Sequence, residues 1–454
     1  MSEAQFSEFR SYIEAEVTRR HVPGVALGLL LDDVEHTAGF GVTNVDNPLP
    51  VDEDTLFQVG SITKTFTATA AMRLVDQGRL DLDRPVQTYL PDFRLAEPNV
   101  AATVTTRHLL THTSGWIGDF FSDTGRGDDA LARYVVEMAD LEQLTPPGGV
   151  YSYCNSGFSL VGRLIEVLTG ETFEAALKRL VLAPIGLEHS FLFPEEVMTQ
   201  RYSAGHARPR EGRTQVRQPW HLPRSATPAG GLIASVKDQL RYARFQLGDG
   251  TGAHGERVLQ PATLKTMHQP LLPSTGLPGR SVGLAWNILG NSVSHGGGTH
   301  GQNTFLMVCP DHGVALSVLT NAGGTGAELA NDASRWVLER FTGVSQAQTP
   351  VVPVSGDVLE QCVGVYRTPV EDVEVGRLGE ALVARPIDRG GFPTRSTPPP
   401  ADATPPLIRL GFYAEDRLVG LDPGFLDTRA ELIRGSDNAI AWLRFGSRIH
   451  RRVG

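Results

Sequence analysis

The first part of the chain alternates between helical and extended patterns of apolar residues. Residues 1–20 carry apolar positions every three or four residues and predict an amphipathic helix. The apolar run Val25–Leu31, two aspartates and a glycine-rich return predict a two-stranded hairpin over residues 23–44. Residues 61–78 return to a helical period that ends at a glycine.

Further along, helices give way to strands. Residues 103–230 alternate helical periods with loops rich in proline and glycine, and a helix is predicted at 235–248. Strand-like runs follow at 282–289, 304–309 and 313–320, before a last helix at about 326–341. This order predicts one sheet built from distant segments, about 1–75 and 230–345, with a helical part inserted at about 76–229.

The C-terminal part has β character. A polar, proline-bearing stretch supplies a linker, placed at residues 346–353. Short strand candidates lie at 361–366, 372–376, 381–385, 407–412, 416–420, 429–433 and 439–444. Residues 386–405, rich in Pro, Gly, Ser and Thr, predict a mobile loop. We therefore predict an α+β first domain over 1–345 and a small all-β barrel or sandwich over 354–454.

Composition and charge narrow the classes of function. The chain has 454 residues and a formal net charge of −10, which disfavours nucleic acid and anionic membrane surfaces as partners. It has neither an apolar run of the ~18–20 residues that span a membrane nor the apolar segment of a signal peptide. Its three scattered cysteines predict neither a disulfide framework nor a zinc site. We expect a cytoplasmic protein with a small-molecule or peptide substrate, no metal or other cofactor, and a homo-oligomer as an open possibility.

The first candidate for chemistry is Ser-Ile-Thr-Lys, which places Ser61 and Lys64 at the start of the helix predicted over residues 61–78. Residues three apart lie on the same face of a helix, and a serine hydroxyl becomes a nucleophile when a nearby base takes its proton. Lys64 can act as that base only if burial or a cationic neighbour lowers its pKa. Taken alone, the spacing favours a solvated surface lysine, because Ser-x-x-Lys occurs often by chance.

Two distant segments offer partners for this pair. Tyr153 and Asn155 lie at a turn before a helix, where a tyrosine hydroxyl can relay a proton and an asparagine amide can point towards a substrate carbonyl or Lys64. His295 begins a run of glycines, residues 296–298, which enters a strand and lets the backbone approach a ligand closely. Each segment alone also fits an ordinary turn.

Together, and in this order, the three segments resemble the serine β-lactamase and penicillin-binding-protein superfamily. The specific likeness is to its class C-like branch of D-aminopeptidases, alkaline D-peptidases, family VIII carboxylesterases and class C β-lactamases. It covers about residues 5–345, and the phrases RHLLTHTSG (107–115) and TPAGGLIAS (227–235) match as well. The C-terminal part resembles, loosely, the lipocalin-like domains appended to some peptidases of the family.

The resemblance implies both a fold and a set of roles. The implied fold is a β-lactamase/transpeptidase-like domain, with an antiparallel sheet flanked by helices and an inserted helical domain, followed by the small barrel. Ser61 is implied as the acylated nucleophile, Lys64 as its proton partner and Tyr153 as the general acid/base. The implied substrate-binding and oxyanion residues are Asn155, His295, Gly297 and Gly298.

One departure from the family pattern changes the expected chemistry. His295 stands where β-lactamases and transpeptidases carry lysine, and a neutral histidine offers no permanent cation to a substrate carboxylate. We expect a serine hydrolase that cleaves amide bonds of small or D-amino-acid-containing peptides, or short-chain esters. The alternatives are β-lactamase or D-Ala-D-Ala carboxypeptidase activity, or a non-catalytic penicillin-binding-like sensor. The barrel is expected to cover the cleft, limit substrate size or mediate oligomers.

Three other features have plainer explanations. GRSVG at 279–283 has the Gly-x-Ser-x-Gly form, but a strand follows it, whereas the serine of an α/β-hydrolase lies between a strand and a helix. His108 and His112 are spaced like half a metal site, lack further ligands nearby, and are expected to be packed histidines. The basic cluster from Arg444 to Arg452 is expected to be a solvated strand face.

Overall fold

The structure is a computed structural model that describes residues 3–207, 213–274, 280–344, 349–399, 406–422, 425 and 428–453. In the described residues the strands of the first 345 positions are β1 (Gly24–Leu31), β2 (Val34–Gly41), β3 (Phe57–Gln58), β4 (Ser190–Phe191), β5 (His206–Ala207), β6 (Gln215–Val216), β7 (Ile233–Ala234), β8 (Leu272–Pro273), β9 (Arg280–Val282), β10 (Asn287–Leu289), β11 (Ser292–Gly298), β12 (Asn303–Cys309) and β13 (Val314–Thr320). The later strands are β14 (Gly364–Arg367), β15 (Glu371–Leu378), β16 (Ala381–Asp388), β17 (Ile408–Ala414), β18 (Arg417–Gly420), β19 (Arg429–Arg434), β20 (Ile440–Phe445) and β21 (Arg448–Arg452).

The helices are α1 (Glu3–Arg20), α2 (Thr63–Asp76), α3 (Pro98–Thr103), α4 (Thr106–Leu110), α5 (Ala130–Glu137), α6 (Asn155–Thr169), α7 (Phe173–Leu177), α8 (Ala183–Ile185), α9 (Pro194–Val197), α10 (Thr227–Gly230), α11 (Val236–Leu247), α12 (Pro261–Met267), α13 (Gly324–Phe341) and α14 (Gly356–Cys362). A single 3₁₀ turn, Gly60–Ile62, leads into α2. No described helix combines the length and the apolar character needed to cross a membrane.

An antiparallel sheet joins the two ends of the first region. Its strand order is β2-β1-β13-β12-β11-β10-β9-β8, so β1 pairs with β13 from the far end of the region. Every residue of β1 and β13 is buried, because helices cover both faces of the sheet. On one face α1 and α13 pack through residues such as Phe9 and Val337; on the other, α11 packs against both strands. This confirms the predicted sheet built from distant segments.

The C-terminal strands β14 to β21 close into an eight-stranded antiparallel barrel, which confirms the predicted barrel. Its strands alternate between inward and outward side chains, and large apolar residues such as Tyr366, Leu410 and Leu443 fill the interior. Helix α14 adds Leu359 and Cys362 to that core. The barrel is therefore a packed body whose outer surface and loops are available for contacts.

Some element predictions were wrong in detail. The run 282–289 is two strands, β9 and β10, because the chain turns between them at Ala285, whose φ is 65°. The strand predicted at 361–366 is the end of α14 followed by β14, and β21 was not among the strand candidates, although the basic cluster that contains it was expected to form a strand face. Within the predicted mobile loop 386–405, β16 continues to Asp388 and residues 400–405 lie outside the described residues.

The barrel packs directly on the first region, beside the Tyr153 turn. The Tyr153 backbone N–H donates to the Ser447 carbonyl oxygen at 2.8 Å, and the Ile449 N–H donates to the Ser152 hydroxyl oxygen at 3.2 Å. Farther out, an Arg444 guanidinium N–H donates to a backbone carbonyl across the same boundary, at 2.9 Å. The hairpin formed by β20 and β21 is therefore tied to the segment that carries a candidate catalytic residue.

Candidate active site

Ser61 and Lys64 lie one turn apart at the start of α2. Their side chains meet, with 3.0 Å between Lys64 Nζ and Ser61 Oγ, and the amine also donates to the Ala229 carbonyl oxygen at 2.6 Å. The turn is held in place because α2 is buried on nearly all sides, with Phe66 among its fully buried residues. The sequence spacing therefore produces the predicted contact.

Lys64 is completely buried, and its surroundings favour the neutral amine. Burial lowers the pKa of Lys64 well below its usual value of 10.5, and the nearby Arg448 guanidinium lowers it further, against an opposing effect of Asp119. A neutral amine has a lone pair that can accept the Ser61 proton. Both of its hydrogen-bonding partners are uncharged oxygens, so neither stabilises the ammonium as a carboxylate would.

Tyr153 lies on the other side of Ser61. Its hydroxyl hydrogen-bonds the Ser61 side chain, and Lys64 Nζ lies 4.9 Å from the centre of its ring. Burial raises the pKa of Tyr153 above its usual value of 10.0, although the Ser61 hydrogen bond and Arg448 act in the opposite direction. The resting side chain is therefore a neutral phenol, which can donate a proton, rather than a phenolate base.

His112 supports Tyr153 from behind. The two rings are stacked with 4.3 Å between their centres, and His112 Nδ1 accepts a hydrogen bond from the Cys154 N–H at 2.9 Å. Burial is the largest cause that lowers the pKa of His112 well below 6.5, so the imidazole is neutral. The RHLLTHTSG phrase contains this residue, but no pattern in the sequence indicates that it lies against Tyr153.

Asn155 lies at the pocket but points to a partner that the sequence did not predict. Its amide donates to a carboxylate oxygen of Asp119 at 2.6 Å, rather than reaching Lys64. Asp119 also forms an ion pair with Arg448, at 2.5 Å, and the Arg448 guanidinium lies 4.8 Å from the centre of the Tyr153 ring. A barrel residue therefore belongs to the candidate site.

This position of Arg448 corrects the expectation for the basic C-terminal cluster. The cluster is not simply a solvated strand face: Arg448 pairs with an almost fully buried carboxylate, and Arg444 is itself buried. Arg444 lies in β20 and Arg448 in β21. The hydrogen bonds of Ser447 and Ile449 to the first region hold this hairpin, and with it both arginines, in place. Local sequence offers no signal for such a long-range contact.

His295 and the following glycines line the opposite wall. The His295 Nδ1–H donates to the Gly296 carbonyl oxygen at 2.6 Å, and burial, with Lys64 nearby, lowers the pKa of His295 to about 3. A methyl group on Gly297 would lie 1.9 Å from the Val59 carbonyl oxygen, so only glycine lets β11 approach the Ser61 turn this closely. At the same contact, a Cβ on Gly60 would lie 2.8 Å from the Gly298 nitrogen.

A pocket of about 620 Å³ opens above these groups. It is lined by Ser61, Tyr153, Asn155, His295 and Gly298, whereas Lys64 lies beneath it and Gly297 behind its wall. The barrel contributes several further lining residues, among them Phe392, Phe445 and Arg448. The structure thus brings all the sequence-predicted residues to one place. Residues of the C-terminal barrel cover one side of the pocket.

Two of the alternative features lie apart from this pocket. Ser281 of the GRSVG run lies in β9 of the sheet, and His108 bonds to Thr105 at the start of α4. In the described part of the chain no group of three or more His, Cys, Asp or Glu residues is arranged to hold a metal ion. The three cysteines are free and buried.

Comparisons with known proteins place the same region in a family. A family model described as Beta-lactamase matches residues 9–339. Penicillin-binding protein 4 of Amycolatopsis lactamdurans is 38% identical over 355 residues, which are 76% of this chain and 93% of that protein. The resemblance to the β-lactamase and penicillin-binding-protein superfamily is thereby confirmed, at the level of the superfamily rather than of the class C-like branch.

Solved structures extend the likeness over the whole chain. SurE is 26% identical with a TM-score of 0.75, covering 99% of both chains. Its structure with D-Leu shares the fold at 24% identity, with a TM-score of 0.74 and complete coverage of both chains. An octameric penicillin-binding protein homologue from Pyrococcus abyssi gives a TM-score of 0.66 at 24% identity, covering 98% of this chain and 99% of that one.

Proposed function

This chain belongs to the β-lactamase family, and from that premise we propose that it hydrolyses amide bonds of small or D-amino-acid-containing peptides, or short-chain esters, through an acyl-enzyme on Ser61. The observation that carries the proposal is the 3.0 Å contact between Ser61 Oγ and a buried Lys64 whose pKa is lowered. A serine hydroxyl beside a neutral amine has the base that its nucleophilic attack requires. The remaining groups fit the two half-reactions that follow.

In acylation, Ser61 Oγ attacks the substrate carbonyl carbon while its proton moves to Lys64 Nζ. The oxygen of the tetrahedral intermediate accepts hydrogen bonds from the N–H groups of Ser61 and Gly298; the close packing of Gly60 against Gly298 supports this assignment. The C–N or C–O bond then breaks, and the leaving group takes the proton of the Tyr153 hydroxyl. The Lys64 ammonium returns a proton to the phenolate, which leaves the amine neutral again.

In deacylation, water repeats these steps on the ester that links the acyl group to Ser61. The neutral Lys64 amine takes the proton of the attacking water, the ester bond breaks, and the Tyr153 hydroxyl gives its proton to the departing Ser61 Oγ; the Lys64 ammonium then returns a proton to the Tyr153 phenolate. His295 is neutral and turns its Nδ1–H to its own strand, so it acts as a wall and a hydrogen-bond acceptor rather than as a cation. At the end of the cycle the Lys64 amine is neutral and the Tyr153 hydroxyl is protonated, as they were at the start.

The nature of the pocket supports a peptide-like substrate. Its volume of about 620 Å³ suits a short peptide or acyl amide, and Arg448 gives it a cation that the third motif lacks. A substrate carboxylate can therefore find a guanidinium here even though His295 replaces lysine. D-Leu in the SurE crystal structure adds support for a D-configured residue.

A substrate panel tests the proposal. Wild type, Ser61→Ala and Ser281→Ala are compared on p-nitrophenyl esters, on D- and L-aminoacyl amides and on short peptides with D-residues. We expect Ser61→Ala to lose at least 10³-fold in kcat/KM, whereas Ser281→Ala keeps its activity. Full turnover by Ser61→Ala on every substrate would exclude the acyl-enzyme, and a selective loss in Ser281→Ala would favour the Gly-x-Ser-x-Gly alternative.

A second candidate is β-lactamase or D-Ala-D-Ala carboxypeptidase activity, which the family model and the penicillin-binding relative favour. A chromogenic cephalosporin hydrolysed more efficiently than every amide and ester of the panel would establish it. A non-catalytic sensor would bind substrates or β-lactams without turning any of them over. Sedimentation of the intact protein tests whether it also forms a homo-oligomer, as the octameric relative suggests.

A further inference from the structure

A second cavity lies behind Tyr153, between the first region and the barrel. Its volume is about 350 Å³, and it meets the catalytic pocket only at the wall made by Asp119, Tyr153 and Arg448. Ile117 and Leu144 line it from the first region, and Pro369, Ile449 and Val453 line it from the barrel. The cavity opens to solvent on one side, and small-molecule sites occur preferentially in such clefts between domains.

Positively charged side chains outnumber negatively charged ones at the mouth of this second cavity. Arg367 and Arg389 both pair with a single carboxylate, that of Asp372, at 2.7 and 3.0 Å. Arg451 pairs with Glu142 at the same mouth. With the Arg448–Asp119 pair in the wall, four guanidiniums face three carboxylates, so one positive charge remains without a partner among these groups. The side chains of Arg367, Arg389 and Arg451 are 39–48% exposed, which places them where a ligand from solvent would first meet them.

Size and lining narrow the kind of ligand. A cavity of about 150 Å³ accommodates benzene, so about 350 Å³ holds roughly a dozen non-hydrogen atoms. Apolar walls with a few polar groups at one end are typical of small-molecule sites. A guanidinium presents paired N–H donors that match a planar carboxylate, and Arg367 and Arg389 share one carboxylate between them.

We propose that this cavity is a second ligand site, separate from the catalytic pocket, that binds a small carboxylate with an apolar body. The carboxylate pairs with Arg367 and Arg389 at the mouth, and the apolar body fills the space beside Leu144 and Ile449. The four residues that would contact the ligand, Arg367, Arg389, Leu144 and Ile449, do not line the catalytic pocket. Binding at this site therefore does not require catalysis by Ser61. A ligand there lies against the outer side of the Asp119–Arg448 pair.

Calorimetric titration with 4-phenylbutyrate, which has twelve non-hydrogen atoms, tests the proposal on the full chain. The neutral analogue 4-phenylbutanamide provides the comparison for charge. We expect the amide to bind at least tenfold more weakly, because it cannot use the excess guanidinium charge. Equal affinity for the two compounds, or no binding of 4-phenylbutyrate at all, would overturn the proposal.

Two matched tryptophan variants locate the site. Leu144→Trp fills the second cavity and is expected to lose at least tenfold in affinity, whereas Ala226→Trp narrows the catalytic pocket and is expected to bind as wild type does. The reverse pattern would assign the ligand to the catalytic pocket and contradict the proposal. Thermal melting of both variants shows whether each is folded.

A surface variant keeps the test decisive if Leu144→Trp does not fold. The double variant Arg367→Ala/Arg389→Ala alters only half-exposed side chains and is expected to weaken binding at least tenfold. Arg377→Ala removes another half-exposed arginine of the same barrel, one outside the cavity lining, and is expected to change the affinity less than twofold. Unchanged binding in the double variant would overturn the proposal.

Discussion

The Ser61 turn and the β20–β21 hairpin of the barrel contribute to one site in opposite ways. The first holds its pair through local helix geometry, and burial is the main cause that lowers the pKa of its lysine. The second comes from the other end of the chain and delivers a permanent cation, Arg448, to the ring of Tyr153. The proposed nucleophile and its base are thus a local feature of the sequence, whereas the charge near them depends on how the two domains pack.

This comparison also explains how the site can lack the third-motif lysine. His295 is neutral and faces its own strand, so it does not replace a cation. Arg448 enters the same pocket from the barrel and is held by Asp119, which Asn155 also contacts. The cation at this pocket therefore comes from the barrel rather than from the sheet, and the barrel contributes to the candidate active site.

The largest expected effect on kcat/KM comes from changing the Ser61 turn. Lys64→Met keeps the shape of a buried chain but removes the base, and we expect kcat/KM to fall about 10²–10⁴-fold. Lys237→Met, which changes a partly exposed lysine paired with Asp54, is the control and should keep its activity. Equal activity of the two variants would show that Lys64 takes no proton.

The same variant has a stability signature with a defined sign. Because the pKa of Lys64 is lowered in the folded state, the unfolded chain binds a proton that the folded chain does not, and wild-type stability rises as the pH increases towards 10.5. Lys64→Met lacks this contribution. Denaturant unfolding at pH 7 and pH 9.5 should therefore show wild type gaining stability relative to the variant. A constant difference would contradict the neutral amine.

The next largest effect concerns the glycines that bring β11 to the Ser61 turn. Gly297→Ala places a methyl group 1.9 Å from the Val59 carbonyl oxygen, and we expect about 10²-fold loss of kcat/KM as the Gly298 N–H moves away. Gly296→Ala has its nearest atom at 3.8 Å and should lose far less. Steady-state kinetics on one ester compare the pair; equal losses would contradict a steric role for Gly297.

A smaller effect on kcat/KM is expected from changing the β20–β21 hairpin of the barrel. Arg448→Met removes the cation beside Tyr153, and we expect kcat/KM to fall about 10–100-fold on substrates with a free carboxylate, since a charged hydrogen bond contributes about 1.5–3 kcal/mol. The loss should be smaller for the corresponding amides. Arg377→Met provides the control on the barrel. An equal loss for acids and amides would show that Arg448 does not contact the substrate.

The smallest expected effect concerns the roof of the pocket. Phe392 lines the pocket and packs on Phe121 with 5.0 Å between ring centres. Phe392→Ala enlarges the space, and we expect the ratio of kcat/KM for a bulky ester over a small one to rise severalfold. Kinetics on a series of acyl chain lengths measure this ratio. An unchanged ratio would show that the barrel does not limit substrate size.

The sequence predicted the local parts of the molecule well, because they depend on periodicity and spacing. A single sheet shared by both ends of the first region was predicted from the strand-like runs there, although the pairing of β1 with β13 was not, and the contact of Ser61 with Lys64 followed from helix geometry. The order of the three motifs led to the right superfamily. Short-range patterns of this kind survive folding because the surrounding structure reinforces them.

The sequence could not predict the contacts between distant segments. Asn155 was expected to face the substrate or Lys64, but its amide bonds to Asp119, a residue that no motif marks. Arg448 was one of several arginines in a strand-like stretch, and only the packing of the barrel makes it different from the others. The stacking of His112 on the Tyr153 ring was likewise not predicted. Such contacts depend on tertiary packing, for which one sequence carries no periodic signal.

One measurement addresses the central claim, that a buried neutral Lys64 activates Ser61 with help from a barrel cation. The rate of Ser61 labelling by a fluorophosphonate is followed by intact-protein mass spectrometry as a function of pH. We expect an adduct on Ser61, a rate that rises through a midpoint well below pH 10.5, and a midpoint displaced to higher pH in Arg448→Met, because removing that cation raises the pKa of Lys64. No adduct on Ser61, or a midpoint that is the same in both proteins, would contradict the account.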